Sequence, residues 1–73
     1  MRPDAEAIRM IRLKTLVKRL GVSQSTVYNK LNPASPYYDP GFPKQVKLGS
    51  GAVAWIEGEV NEWLRTQIDQ SRI

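Results

Sequence analysis

The 73-residue chain contains no cysteine and no histidine. Disulfide cross-links are therefore excluded as stabilisers, and so are zinc fingers, which need thiolate or imidazole ligands. Acid–base chemistry would fall to Asp, Glu, Lys or Tyr, and no pair of carboxylates is spaced for it. The Gly49-Ser50-Gly51 stretch is too short to cradle a phosphate and lacks a following helix that opens on a lysine. Enzymatic function is thus not expected, nor any cofactor or metal. No apolar run approaches the roughly 20 residues needed to cross a bilayer. Residues 1–10 (MRPDAEAIRM) carry Asp4 and Glu6 and lack the apolar stretch of a signal peptide. A cytoplasmic protein without membrane attachment is the expectation.

What is present fits an ordinary small globular domain. The chain is 41% hydrophobic and 25% charged, and its length is close to the lower limit for an unassisted core. Residues 1–7 read as a flexible leader and residues 8–73 as one domain. The core must rest on a few large side chains, chiefly Trp55, Trp63, Phe42 and the tyrosines. Charge is unevenly spread. Residues 1–48 hold nine basic and three acidic side chains, a balance of +6. Residues 49–73 hold Arg65 and Arg72 against Glu57, Glu59, Glu62 and Asp69, a balance of −2. A cationic first part and an acidic last part suit a protein that turns one face to phosphates.

Residues 13–31 (LKTLVKRLGVSQSTVYNKL) spell a helix-turn-helix. Leu13, Leu16, Val17 and Leu20 recur at the 3,4 spacing of a buried helical face. Gly21 permits a left-handed break, and Val22 can plug the corner between two helices. Ser23 is a good N-cap for a second helix that buries Val27 and Leu31 four residues apart. The other face of that helix carries Gln24, Ser25, Tyr28 and Asn29, with Thr26 and Lys30 at its margins. Short or planar polar side chains of this kind suit a helix lying in a DNA major groove.

Before the first helix, residues 8–13 (IRMIRL) are compatible with a short strand or an early helical turn. Residues 32–43 (NPASPYYDPGFP) hold four prolines, a glycine and an aspartate, which rules out regular helix or strand. Tyr37, Tyr38 and Phe42 are too apolar for a free linker, so part of this loop should pack on the core. Residues 45–56 read as a β-hairpin, with Val46 and Leu48 alternating with Gln45 and Lys47, a turn at residues 49–51, and a return strand at residues 52–56. A last helix is expected from about residue 57 to about residue 70, with Glu57 and Glu59 favoured at its positive end. Its apolar stripe is Val60, Trp63, Leu64 and Ile68. A helix-turn-helix followed by a two-stranded hairpin predicts an α+β fold: a small winged helix-turn-helix of three helices plus a β-hairpin wing.

The ordered segments LVKRLGVSQSTVYNKL (16–31), FPKQVKLG (42–49), AVAW (52–55) and EVNEWL (59–64) resemble the small AlpA-like prophage regulators. These are related to excisionases and to the N-terminal winged domain of the MerR group. The resemblance implies a winged helix-turn-helix that binds double-stranded DNA near prophage or mobile-element genes, as a transcriptional regulator or as an excisionase-like architectural factor. Both need the same reading head. The candidate DNA-binding residues are Ser23, Gln24, Ser25, Thr26, Tyr28, Asn29 and Lys30 around the second helix, with Lys44 and Lys47 on the wing, where a cation can reach phosphate. The wing tip departs from the family pattern, having Ser50-Gly51 where many relatives carry a basic residue. No heptad coil follows the last helix, so a monomer or cooperative assembly on repeated sites is expected. The remaining alternative is a protein-interaction module that uses the acidic last helix.

Overall fold

The computed structural model describes residues 8–72; the expected leader at residues 1–7 lies outside the described residues. The chain runs β1 (Met10–Ile11), α1 (Leu13–Leu20), α2 (Gln24–Leu31), β2 (Val46–Gly49), β3 (Ala52–Ile56) and α3 (Glu57–Ser71). Gly21 adopts φ 71°, and its N–H donates to the Val17 carbonyl at 2.8 Å, closing α1. That left-handed conformation costs a side chain roughly 1–2 kcal/mol, which glycine avoids. Ser23 starts α2 as expected, its hydroxyl accepting the Thr26 N–H at 3.2 Å.

Of the two readings open for residues 8–13, the structure takes the strand. Met10 pairs with Ile56 and Ile11 with Trp55, antiparallel. The Glu57 N–H donates to the Arg9 carbonyl at 2.8 Å, carrying the link one step further. The sheet therefore has three strands in the order β1-β3-β2, not the two of a bare hairpin. As the central strand, β3 is held from both sides, and its neighbours Ala54 and Trp55 are both fully buried. Successive strand residues point to opposite faces, so both faces of the sheet are covered there.

One core gathers Ile11, Leu16, Val27, Phe42, Trp55 and Val60, with Leu13, Val17, Leu20, Val22, Leu31, Val53, Trp63 and Leu64 packed around it. Val22 thus fills the helix-turn-helix corner. No residue of β2 belongs to this cluster; the strand is paired along one edge with β3. The Trp55 Nε1 is buried without a hydrogen-bond partner among the described residues. Such an atom costs about 1–3 kcal/mol, offset by the apolar bulk of the fully buried ring.

Four expectations need correction. Ile68 was placed in the core stripe of the last helix, but it is 47% exposed. The last two turns of α3 run past the body of the domain, and among the described residues from 65 onward only Gln67 is even half-buried. Leu48, paired with Val46 by alternation, is also exposed, because the β2–β3 register shifts between Lys47 and Gly49. A bulge of this kind breaks the period-2 rule. In the loop, Phe42 and Pro43 are buried, whereas Tyr37 and Tyr38 are exposed. Finally, Trp63, expected as one of the main core side chains, is only half-buried at the edge of the cluster, where its ring meets Phe42 edge-on with centroids 5.0 Å apart.

Candidate nucleic-acid interface

The second helix is fixed in place from its apolar side. Val27 is fully buried and Leu31 packs against the same cluster. Because 3.6 residues make a turn, burying positions 27 and 31 leaves Ser25 and Asn29 on the opposite side and Tyr28 on the flank, while Gln24, three residues before Val27, borders the buried face in the first turn. All four are exposed. They offer an amide, a hydroxyl, a phenol and a second amide along one short helix. These groups donate and accept hydrogen bonds without a charge, which is what base edges in a major groove require.

The flanking candidates are less free. The Ser23 and Thr26 hydroxyls lie 3.0 Å apart and engage each other at the start of α2. Thr26 is half-buried, so its first role is to finish the cap. Lys30 is also half-buried, with Nζ 5.4 Å from the centroid of the Trp63 ring. A cation over an indole face is attracted by about 0.5–1 kcal/mol at a partly exposed site. Its side chain is thereby held at the end of α2 that meets the loop.

The loop fastens that end. Its Asp39 N–H donates to the Lys30 carbonyl at 2.9 Å. The Asp39 carboxylate accepts the Trp63 indole N–H at 3.0 Å on one oxygen and the Gly41 N–H at 2.9 Å on the other. Asp39 therefore ties the last turn of α2 to α3 through the loop. Sequence reasoning left the loop without a role, and no local signal marks a partner 24 residues away. On the opposite flank, Arg19 of α1 bridges to Glu57 of α3 at 2.9 Å and also bonds Asn61. One cation of the basic segment is thus committed to internal contacts.

Lys44 and Lys47 are both exposed, Lys47 within β2 opposite Val53 and Lys44 just before that strand. A cleft of about 380 Å³ lies between the end of α2 and the start of β2, and Lys30, Tyr38, Asp39, Lys44 and Gln45 are among the residues that line it. It places two lysines at the junction of helix and wing. A larger groove of about 690 Å³ runs between the loop and α3, with Glu59 and Glu62 on its wall. Those two carboxylates disfavour phosphate on that wall, while Asp39 and Lys44 line both spaces. Among the described residues, no cluster of acidic side chains is arranged to hold a metal ion, and no helix is long and apolar enough to cross a membrane.

The model of the family described as prophage CP4-57 regulatory protein (AlpA) matches residues 9–68. This span runs from the residue before β1 to the exposed end of α3. The chain is 47% identical over 61 residues to the DNA-binding transcriptional activator AlpA of Escherichia coli strain K12, covering 84% of this chain and 87% of that relative. It is 33% identical over 66 residues to the uncharacterized protein ORF88 of Enterobacteria phage P4, covering 90% of this chain and 68% of that one. No solved structure matches the chain. With the helix-turn-helix, the hairpin and most of the last helix inside the matched span, the chain belongs to the AlpA family of prophage regulatory proteins.

Proposed function

We propose that this protein is a sequence-specific DNA-binding transcriptional regulator of a prophage or mobile element. In this reading α2 enters the major groove, with Gln24, Ser25, Tyr28 and Asn29 against base edges. Asn29 or Gln24 pairs with adenine through an amide that both donates and accepts. Lys30, Lys44 and Lys47 neutralise phosphates on either side, which positions the helix without reading sequence. The Ser23 and Thr26 hydroxyls lie at the start of α2, where the backbone of a groove wall passes. The observation that carries the reading is the set of four exposed, uncharged polar side chains on a helix whose apolar face is locked into the core. The relative named as a DNA-binding transcriptional activator supports it, and supports activation as the sign of regulation.

Footprinting on the DNA upstream of the protein's own gene and its neighbours tests this. A discrete protected site is expected, with hypersensitive or protected guanines and adenines in one or two adjacent major grooves. Uniform, salt-sensitive coverage with no discrete site would remove the sequence-specific role.

A further inference from the structure

We propose that Ser35, in the proline-rich loop, is a specificity-determining residue that sets the orientation of the Asn29 side-chain amide. The inference rests on the proposed base-reading role of Asn29 and adds a second residue to it. The loop turns back on α2 immediately after leaving it. The Asn32 side-chain oxygen accepts the Ala34 N–H at 3.0 Å, and the Asn32 carbonyl accepts the Ser35 N–H at 2.9 Å. This double turn carries Ser35 back beside the last turn of α2, where it is half-buried. Pro33 and Pro36 flank it, and their fixed φ limits the alternatives open to the segment.

At that point the Ser35 hydroxyl has two partners. Its oxygen accepts the Tyr37 N–H at 3.1 Å, and its proton goes to the Asn29 Oδ1 at 3.4 Å. An exposed asparagine amide turns broadly about its last torsion and presents oxygen or nitrogen to a groove with little preference. A hydroxyl donating to Oδ1, even across a long 3.4 Å contact, biases that torsion toward one orientation. One Oδ1 lone pair and both Nδ2 hydrogens remain for a ligand. An acceptor beside a donor is the complement of adenine, whose major-groove edge offers the N6 amino group and the N7 acceptor. Ser35 therefore lowers the ordering cost of the Asn29–base contact and disfavours the flipped amide. It touches no base itself. Nothing in the local sequence joins residues 29 and 35, because the link exists only once the loop has folded back.

A binding-site selection from a randomised duplex pool, followed by titration of the selected and a scrambled duplex, tests the proposal. It uses the full chain and the variants Asn29→Ala, Ser35→Ala, Ser35→Thr and Asn29→Ala/Ser35→Ala. Ser35→Ala should weaken the selected duplex about two- to tenfold, the size of one neutral hydrogen bond, and blur preference at the same base pair that Asn29→Ala blurs. Scrambled-duplex affinity and the salt slope should stay as in the wild type. Ser35→Thr, which keeps the hydroxyl, should restore the preference, and the double variant should be no weaker than Asn29→Ala alone. Fully additive losses, or an equal loss on selected and scrambled duplexes, would overturn the role of Ser35 and leave base reading by Asn29 standing. An Asn29→Ala variant with wild-type preference would overturn base reading by Asn29, and the Ser35 proposal with it.

Discussion

Truncating Trp63 to alanine tests the contact that joins α2, the loop and α3. The indole gives three things in one place: an N–H to the Asp39 carboxylate at 3.0 Å, an edge-on contact with Phe42 at 5.0 Å, and a face under Lys30 at 5.4 Å. A hydrogen bond to a charged acceptor contributes about 1.5–3 kcal/mol, and an aromatic pair about 0.5–1.5 kcal/mol beyond its buried area. These terms overlap. Full truncation of a core tryptophan costs about 3–5 kcal/mol, and half-burial places Trp63 near 3 kcal/mol, the low end of that range. A domain of this length has about 4–11 kcal/mol in all, so the change removes a quarter to most of it. At about 4–8 °C per kcal/mol, the thermal midpoint should fall by about 12–24 °C, read by far-ultraviolet circular dichroism. Trp63→Phe keeps the ring and loses only the N–H, so it should fall between wild type and Trp63→Ala. A drop of less than about 4 °C for Trp63→Ala would refute the bridging role given to this residue.

Other perturbations separate capping, backbone and phosphate effects. Ser23→Ala removes the acceptor of the Thr26 N–H and should cost about 1 kcal/mol in urea unfolding. Gly21→Ala should cost about 1–2 kcal/mol from its left-handed φ alone, since a Cβ there meets nothing within 4 Å; a cost well above that would mean a steric clash. Lys44→Ala and Lys47→Ala should each flatten the log–log salt dependence of DNA binding by about 0.9, with equal losses on specific and nonspecific duplexes. If the pair together leaves the slope unchanged, the hairpin is a structural flap and not a DNA-contacting wing.

Local signals made most of the fold legible. Gly21 and Ser23 mark the end of one helix and the start of the next in terms of backbone conformation and capping, which act within a turn, and the helices run from Leu13 to Leu20 and from Gln24 to Leu31. The hairpin followed from alternation around Gly49-Ser50-Gly51. What the sequence left open depends on partners far along the chain. Met10 and Ile11 become a strand because Ile56 and Trp55 lie beside them, and two residues alone cannot express a period. The spacing of Val60, Trp63, Leu64 and Ile68 shows a stripe but not where the surface beneath it ends, so Ile68 was misplaced. Leu48 departs from the alternation because a bulge shifts the register after Lys47.

The candidate site divides the same way. The exposure of Ser25 and Asn29 on α2 follows from helical spacing once Val27 and Leu31 are assigned to the core, whereas Gln24 is exposed although it borders the buried face in the first turn. The attachment of Asp39 to Lys30 and Trp63, and of Ser35 to Asn29, does not follow from spacing, because both require the loop to return to a helix it has just left. Lys30 shows the cost of reading charge alone: its ammonium lies over Trp63 and so belongs to the packing of the loop as well as to the cationic face.

The central claim is that α2 reads base sequence, and the discrimination of Asn29→Ala tests it most directly. Equilibrium titration at fixed salt, with the wild-type site and with a duplex of scrambled sequence, gives the ratio of the two affinities for each protein. The account predicts that Asn29→Ala loses about 1–3 kcal/mol on the site, relaxes preference at one base pair and leaves scrambled-duplex binding unchanged. Equal weakening on both duplexes, with the ratio preserved, would contradict it.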